Sequence, residues 1–559
     1  MDGRPDTLTA RVRRGMILSG AALGLAVIMT WPLAAGMTAL GRSTGGGDGL
    51  FSVWNVAWVA RTIVVDPVHL FDANIFYPHR STLAFSEANL GAGVLAAPAW
   101  WLTRNAYAAH NTAVLAAFAT AFLGMWLLAY HLTKDALAAT IAGCLFGFCP
   151  YLSSHTAHIQ LLMCGGLPLS MLMLHRLADA PSPRRGVALG AALTAQALSC
   201  AYYGIFAALM VGYAVPFLAT SRARWRDRPY WIAVGIAALV SLACVLPFFL
   251  PYLRLQQDQG FRRTLDDAVR YSANGQSYVA SSARLHYWMI EATPGWARWS
   301  EVLFPGFLAI GLGVAGFVMA LRRDKSGAAR SRDRETALVY GSLGALAFWA
   351  SFGPPAGLYS LLFRLPAFSF LHAPARFGLV VVLALAALAA LALSRLFARL
   401  PPRWRVMIAA AIGAAAIAEL NVLPFPWERA EPIPAIYAVL AKLPRGPVAE
   451  FPFYGERPVF HLHTQYMLFS TAHWMPLVNG YSDHFPDDFR QTAPVLASFP
   501  SRDTLLLLSR YRVRYIGVHW DMYVSRADEI RQRLQPFLQY LRPIAADSNM
   551  TLYEIVAFP

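Results

Sequence analysis

The chain has 559 residues, of which 57% are hydrophobic and 14% are charged. Soluble proteins carry about 25% charged residues, so this composition excludes an ordinary soluble protein and indicates a membrane protein. The formal net charge is +16, but the basic residues cluster between apolar runs, which is typical of polytopic membrane proteins and argues against a nucleic-acid partner. The five cysteines lie in or beside apolar runs without metal-ligand spacing, so we interpret them as small core residues.

A helix of about 20 apolar residues crosses a membrane core of ~30 Å, and by this rule about eleven stretches are predicted to span the membrane. They are residues 15–36, 108–130, 136–150, 159–178, 186–200, 203–220, 230–250, 304–322, 336–352, 375–397 and 405–422. Two of them, 136–150 and 186–200, are short. Either they extend into their flanks, or residues 199–204 form a tight turn at the membrane surface.

The basic clusters predict the orientation of these spans. With eleven spans every cluster falls on one side of the membrane, which is then cytoplasmic, as is the N-terminus. The other side receives the first loop (38–107), two further loops (251–303 and 353–374) and the tail. We therefore predict an α-helical polytopic membrane protein with a transmembrane domain (1–422) and an external domain (423–559).

The first loop begins with an acid among glycines. Near its start stands Gly45-Gly46-Gly47-Asp48-Gly49, which leaves the carboxylate accessible to a bulky partner, although a flexible linker with a solvated Asp is the alternative. Two apolar, tryptophan-containing pieces, 50–65 and 90–102, follow in the same loop. We predict helices lying in the membrane interface, with a re-entrant hairpin as the alternative.

Histidines and arginines in the external loops are candidates for ligand binding. His79 and Arg80 follow Pro78 and predict a phosphate clamp, with a solvated pair in a turn as the alternative. His155 and His158 have a His-x-x-His spacing. Two ligands make a weak metal signal, so hydrogen bonds to a ligand or to the first loop are the other interpretation.

His372 and Arg376 precede the tenth predicted span. They are four residues apart, so on a helix they would share one face. A charge at this position needs a partner, which predicts a contact to a lipid phosphate, while snorkelling to the head groups is the alternative.

The tail alternates short strand-like runs with helix-like stretches. The strand-like runs are 447–453, 515–520 and 550–558, and the helix-like stretches are 433–443, 501–511 and 527–541. This alternation predicts a small α/β domain, and about 130 residues suffice for its own core. Segments 473–476 and 479–484 mix aromatic and polar side chains, which suits a sugar, although Asn479-Gly480 alone predicts a turn. The sequence has no motif for nucleotide binding or for a serine nucleophile.

Two short motifs in the first loop carry a resemblance to a known family. They are Gly-Asp-x-x-x-x-x-Trp, here Gly47-Asp48 to Trp54, and Tyr-Pro-x-x-x-x-Leu-x-x-x-Glu, here Tyr77-Pro78 through Leu83 to Glu87. With the cytoplasmic N-terminus, the many spans and the external α/β tail, the chain resembles the GT-C superfamily of integral-membrane glycosyltransferases, in particular its bacterial, largely uncharacterised members. The resemblance covers the membrane region, and the tail more loosely.

The resemblance implies a bacterial inner-membrane enzyme that acts at the periplasmic face. It would transfer a sugar, with inversion, from a polyprenyl-phosphate donor to a lipid, glycan or protein acceptor, surrounded by membrane lipids. Asp48 matches the family's general base. The implied substrate contacts are His79, Arg80, Glu87, His155, His158, His372, Arg376 and Trp54.

Metal dependence stays open at this point. Several GT-C families place a second acid or an acid pair in an external loop, often with a divalent cation such as Mg²⁺ or Mn²⁺. The nearest match here is Asp266-Asp267, and no clear pair stands in the first loop.

Two other functions are compatible with the composition. One is a transporter or flippase of a lipid-linked sugar, but the centres of the predicted spans carry almost no ionisable side chains. The other is a membrane assembly scaffold without catalytic activity, for which Asp48 would be dispensable.

Overall fold

The computed structural model describes residues 8–42, 47–260, 263–292, 301–322, 328–365, 368 and 371–559. Most of this part of the chain is helical. The α-helices are α1 (Leu8–Met29), α2 (Asp48–Val65), α3 (Leu90–Thr103), α4 (Ala106–Thr133), α5 (Ala136–Gly147), α6 (Pro150–Ser154), α7 (Ile159–Leu162), α8 (Gly166–Asp179), α9 (Pro183–Ser199), α10 (Ala201–Ser221), α11 (Arg228–Gln259), α12 (Leu265–Arg270), α13 (Tyr287–Glu291), α14 (Phe307–Leu321), α15 (Ala328–Ser351), α16 (Leu358–Leu362), α17 (Gly378–Ala398), α18 (Pro402–Glu419), α19 (Tyr437–Leu440), α20 (His463–Phe469), α21 (Asp487–Ala497), α22 (Arg502–Arg510) and α23 (Ala527–Leu534). The strands are β1 (Leu40–Gly41), β2 (Glu428–Arg429), β3 (Val448–Phe451), β4 (Tyr515–His519), β5 (Leu541–Ala546) and β6 (Met550–Ile555).

Every stretch predicted to span the membrane falls on a helix or on two consecutive helices. Among the described residues, seven helical stretches are long and apolar enough to cross a membrane. They are Val12–Met29, Ala106–Thr133, Ala136–Ser154, Ile159–Asp179, Ala201–Ser221, Arg228–Asp258 and Pro374–Ala398. The α-helical polytopic class is thereby confirmed, while the number of crossings, their orientation and the domain boundary at 422/423 stay predictions.

The chain forms two compact units, one of residues 1–35, 114–249 and 262–426, and the other of residues 36–113, 250–261 and 427–559. In the first unit, α17 is almost entirely buried and packs against α5, α14 and α15. Glycines let α14 approach it closely: a Cβ on Gly316 would lie 1.9 Å from the carbonyl oxygen of Leu388. Small residues at helix contacts are the usual device for tight packing in membranes.

Several basic residues between the helices of this unit are paired with acids. Arg222 contacts both Asp179 and Glu335, at 2.8 and 2.7 Å, and two further arginine–aspartate pairs join neighbouring helices. The short span at 186–200 is explained by a sharp break, because α9 ends at Ser199, Cys200 is extended and α10 begins at the next residue.

In the second unit, four strands form a mixed sheet in the order β3-β4-β6-β5. The β3 and β4 strands are parallel, with Val448 opposite Tyr515, and the other pairs are antiparallel. The apolar core beside this sheet includes the buried side chains of Tyr437, Tyr466 and Phe469. The predicted small α/β region is therefore present.

Strand β5 was not predicted, because the sequence favours one helix over 527–541 and indicates no strand between it and the run 550–558. That helix ends at Leu534, and a 3-10 turn leads into the strand. Most of its residues are half-buried or exposed, and it contains Pro543, so it lacks the alternating apolar pattern that marks a half-buried strand.

The two apolar pieces of the first loop are helices α2 and α3, as predicted. They pack against each other, and a Cβ on Gly93 of α3 would lie 2.3 Å from the side chain of Val59 on α2. Two-thirds of α2 is buried within the unit, where it also contacts α20. Their placement in the membrane interface stays a prediction.

Candidate functional site

Asp48 is the first residue of α2 in the second unit. Its carboxylate is half-buried and lies at the N-terminal end of the helix, where the helix dipole favours a negative charge. Gly47 precedes it with φ of +99°, and a Cβ there would lie 2.7 Å from the backbone oxygen of His461. Only glycine suits this position, so part of the predicted glycine requirement has a structural reason. Gly45 and Gly46 lie outside the described residues.

The tail segment 479–484 reaches the same place. The hydroxyl of Tyr481 donates to Asp48 Oδ1 at 3.1 Å. Asn479, which is fully buried, uses its amide to bond both the N–H and the carbonyl of Glu450 on β3, at 2.8 and 3.0 Å. The Asn-Gly pair therefore holds the segment against the sheet instead of forming the hairpin turn that the dipeptide alone predicts. Gly480 is needed because a Cβ would collide with the ring of Phe76 at 2.7 Å.

The backbone around Glu87 is held from two directions. The hydroxyl of Tyr252 donates to the carbonyl of Ser86 at 3.1 Å and accepts from the N–H of Ala88 at 3.0 Å, so it spans the peptide units on both sides of Glu87. The amide of Asn55, on α2, donates to the carbonyl of Glu87 at 3.2 Å. The Glu87 side chain itself is half-buried. A carboxylate on so fixed a backbone is suited to binding a ligand hydroxyl.

Trp54 is a core residue in this unit. Its side chain has no exposed surface, it stacks on Trp58, and its Nε1 donates to Asn74 Oδ1 at 3.2 Å. Asn74 in turn donates to Ser470 Oγ and to the carbonyl of Met475. A ring with no exposed surface offers no platform for a sugar, so Trp54 is better explained as support for α2 than as a substrate contact.

His79 and Arg80 do not form one clamp. The His79 ring contacts the carboxylate of Asp488 at 3.0 Å and packs edge-on against Phe85. Arg80 is exposed and has no ion pair within the part of the chain that the structure describes. The pair is thus split between an internal contact and solvent, and its phosphate role stays a prediction.

In the first unit, His372 and Arg376 meet at Tyr202. They do not share a helix face, because Pro374 starts a short 3-10 turn between them, Pro374–Phe377, before α17 begins. The hydroxyl of Tyr202 lies 2.6 Å from His372 Nδ1 and accepts from the backbone N–H of His372 at 2.9 Å. The guanidinium of Arg376 lies 4.1 Å from the centre of the Tyr202 ring.

The charge of Arg376 affects the protonation of His372. No carboxylate pairs with Arg376 among the described residues, although its side chain is half-buried. Burial, reinforced by the positive charges of Arg376 and Arg263, lowers the pKa of His372 to about 2. His372 is therefore neutral at neutral pH and offers one N–H donor near the Arg376 guanidinium.

The first unit also contains an apolar cavity of about 190 Å³. It is lined by Phe377, directly after Arg376, by Phe206, whose ring stacks on Phe377 at 4.1 Å, and by aliphatic side chains of α15 and α16. The lining is apolar, which suits a hydrocarbon chain.

His155 and His158 do not form a metal site with a third ligand. His155 is buried, and its Nδ1 lies 2.7 Å from the carbonyl of Tyr151. No group of three or more His, Cys, Asp or Glu side chains that could hold a metal is found in the described residues. Asp267 of the Asp266-Asp267 pair caps α12 instead: the backbone N–H of Thr264 donates to it and lowers its pKa.

Sequence reasoning missed three residues that organise these sites. Tyr202, Tyr252 and Asn55 lie inside apolar or aromatic helices, where a tyrosine or an asparagine is read as part of the packing. Only the pairing of distant segments reveals their partners. The weak signal in the sequence was the polar asparagine at position 55 within the apolar run 53–60.

No family model matches the chain, and no curated protein matches it in sequence. Among solved structures, the arabinofuranosyltransferase AftD from mycobacteria is similar with a TM-score of 0.57 at 14% identity, covering 100% of this chain and 42% of that one. ArnT from Cupriavidus metallidurans, bound to undecaprenyl phosphate, gives 0.47 at 14% identity and covers 98% of both chains. The Archaeoglobus fulgidus oligosaccharyltransferase in complex with Zn and sulfate gives 0.48 at 15% identity, covering 96% and 72%.

Of these three likenesses, the one to AftD carries the structural conclusion, because the other two fall below a TM-score of 0.5. At 14% identity it speaks to the fold alone. The chain has the fold of GT-C glycosyltransferases, as the two first-loop motifs implied.

Proposed function

We propose that the protein is a membrane glycosyltransferase that moves a sugar from a polyprenyl-phosphate donor to an acceptor hydroxyl at the periplasmic face. The observation that carries the proposal is the Asp48 carboxylate, fixed at the start of α2 by the Tyr481 hydroxyl. The GT-C fold, shared with an arabinofuranosyltransferase, supports it.

Asp48 is the general base in this proposal. It takes the proton from the acceptor hydroxyl while the acceptor oxygen forms a bond to the anomeric carbon of the sugar. The bond between that carbon and the phosphate oxygen breaks, and the polyprenyl phosphate leaves with the electron pair. A single displacement of this kind inverts the anomeric configuration. The acceptor is a lipid, a glycan or a protein.

Recognition of a lipid phosphate needs positive charge or fixed donors. In the first unit, taken by itself, Arg376 supplies a guanidinium with no carboxylate partner in the described chain, and His372 supplies a neutral N–H donor. The apolar cavity beside Phe377 suits the first isoprenoid units of the donor. These features support a lipid-linked donor over a soluble nucleotide sugar.

Glu87, whose backbone is held by hydrogen bonds from Tyr252 and Asn55, is proposed to bind a sugar hydroxyl. We assign no role in the displacement step to Trp54, His79 or His155, whose side chains are engaged within the protein, and their predicted substrate contacts stay predictions. His158 and Arg80 remain predicted contacts. A divalent cation, Mg²⁺ or Mn²⁺, stays an open expectation for this site.

The test compares Asp48→Asn with Asp66→Asn, which changes an exposed carboxylate that contacts His69 just after the far end of α2. The purified variants are assayed with a panel of undecaprenyl-phosphate-linked hexoses and pentoses and membrane lipid as the acceptor. We expect the Asp48 variant to lose transfer by at least 10²-fold, the lower range for a general base, with unchanged protein level. The Asp66 variant should keep the wild-type rate. Full activity of Asp48→Asn would remove Asp48 from the mechanism.

A further inference from the structure

Tyr202 has contacts to two candidate phosphate-binding groups at once. It is the second residue of α10, directly after the extended Cys200. Its hydroxyl contacts both the backbone N–H and Nδ1 of His372, at 2.9 and 2.6 Å. Its ring lies under the guanidinium of Arg376 at 4.1 Å. The Tyr202 side chain therefore contacts both His372 and Arg376, the two groups that the proposed function assigns to phosphate binding.

The hydroxyl contacts imply which nitrogen of His372 carries the proton. The hydroxyl oxygen of Tyr202 accepts a hydrogen bond from the His372 backbone N–H. The hydroxyl proton is then available for donation to the nearby His372 Nδ1. If Nδ1 accepts, the proton of the neutral imidazole is on Nε2. The ring nitrogen on the far side from Tyr202 is then a donor, which is what an anion requires.

The ring of Tyr202 orients the second group. A guanidinium is attracted to the face of an aromatic ring, and a guanidinium parallel to the ring keeps its N–H edge available for hydrogen bonds. Arg376 has no carboxylate partner among the described residues, so that edge is not committed to an ion pair. A phosphate accepts such paired N–H donors well.

We propose that Tyr202 is the positioning residue of a phosphate-binding site, which fixes the Nε2–H tautomer of His372 through its hydroxyl and the plane of Arg376 through its ring. The inference rests on the proposed function, because it names the groups that hold the lipid phosphate. The shared ligand chemistry is a phosphate monoester, as a lipid head group or as free phosphate.

Tyr202→Phe separates the two contacts, since it keeps the ring and removes the hydroxyl. We expect the affinity of the detergent-solubilised full-length protein for undecaprenyl phosphate to fall about tenfold, equivalent to about 1.4 kcal/mol. Tyr202→Leu, which removes the ring as well, should lose more. Tyr230→Phe is the matched control, because its hydroxyl donates only to a helix carbonyl. Inorganic phosphate, titrated alone, should bind at least tenfold more weakly than the lipid.

A positioning role requires that the effect passes through His372. In a His372→Ala background, Tyr202→Phe should cause no further loss of affinity. Solid-state NMR of ¹³C-labelled histidine should show the Nε2–H tautomer for His372, identified by its absence in His372→Ala, and a shift away from it in Tyr202→Phe. An unchanged tautomer, or an undiminished tenfold loss in the His372→Ala background, would overturn the inference.

The failure of this inference is separable from that of the proposed function. Asp48→Asn should bind undecaprenyl phosphate like the wild type while losing transfer. Wild-type affinity in Tyr202→Phe overturns the positioning role and leaves the base role intact. Transfer by Asp48→Asn overturns the base role, whatever the Tyr202 variants do. Equal affinities for lipid and inorganic phosphate would contradict the lipid-linked ligand.

Discussion

Removal of the Tyr252 hydroxyl should lower the free energy of local opening of the backbone around Glu87. In Tyr252→Phe the ring stays, but the carbonyl of Ser86 loses a donor and the N–H of Ala88 loses its acceptor. Ala88 is buried, with 4% of its surface exposed, so water does not readily replace the lost partner. A buried donor left unsatisfied costs about 1–3 kcal/mol.

This cost should be visible locally. An opening free energy lower by about 1–3 kcal/mol raises amide exchange by roughly 5- to 150-fold, since 1.4 kcal/mol is a factor of ten. Hydrogen–deuterium exchange of peptides covering 86–90 measures this directly. Tyr230→Phe is again the control, because its hydroxyl donates to the carbonyl of Val215 and leaves no N–H without an acceptor.

The same variant should affect transfer through Glu87. If Glu87 binds a sugar hydroxyl, a loosened backbone raises the donor KM while kcat changes less. Faster exchange at 86–90 together with an unchanged KM would contradict the substrate role of Glu87. Amide exchange at 86–90 identical to that of the Tyr230 control would show that the Tyr252 hydroxyl does not hold the backbone at Glu87.

Three further predictions concern the second unit. In Gly517→Ala, a Cβ would lie 1.9 Å from Glu450 Oε2 and displace the carboxylate from its buried contact with His519. The unfolding free energy should fall by about 1–3 kcal/mol in a denaturant melt, and a melt identical to that of the wild type would contradict the packing. Burial lowers the pKa of His473 to about 4, so the folded form binds fewer protons than the unfolded form. The unfolding free energy should therefore drop as pH falls from about 6.5 to about 4, and it should drop less in His473→Gln. The same dependence of unfolding free energy on pH in both proteins would refute this assignment. Tyr481→Phe removes the donor to Asp48 and should lower kcat about tenfold with little change in KM; an unchanged kcat would show that the contact is not needed.

Hydropathy made the helical framework predictable. Long apolar runs such as 375–397 became α17 within a few residues, because one strong requirement, burial of about 20 apolar side chains, determines such segments. The strands β3, β4 and β6 were also predicted from alternating apolar runs. The exposed edge strand β5 was not, since little of its surface is buried.

The candidate site was less predictable. Asp48 and Glu87 were found from their motifs, but the contacts that fix them come from residues about 430 and 160 positions away, Tyr481 and Tyr252. Spacing in the sequence carries no information about such pairs. The prediction that His372 and Arg376 share a helix face failed for a local reason. His372 precedes the 3-10 turn that begins at Pro374, and the two side chains both contact Tyr202 instead.

The most direct test of glycosyl transfer separates a covalent product from passage across the membrane. Purified protein is reconstituted in proteoliposomes with an undecaprenyl-phosphate-linked radiolabelled sugar, and both the labelled acceptor lipid and the distribution of donor between leaflets are measured. We predict a labelled product with wild-type protein and none with Asp48→Asn. Movement of intact donor between leaflets without any covalent product would contradict the account and favour a flippase.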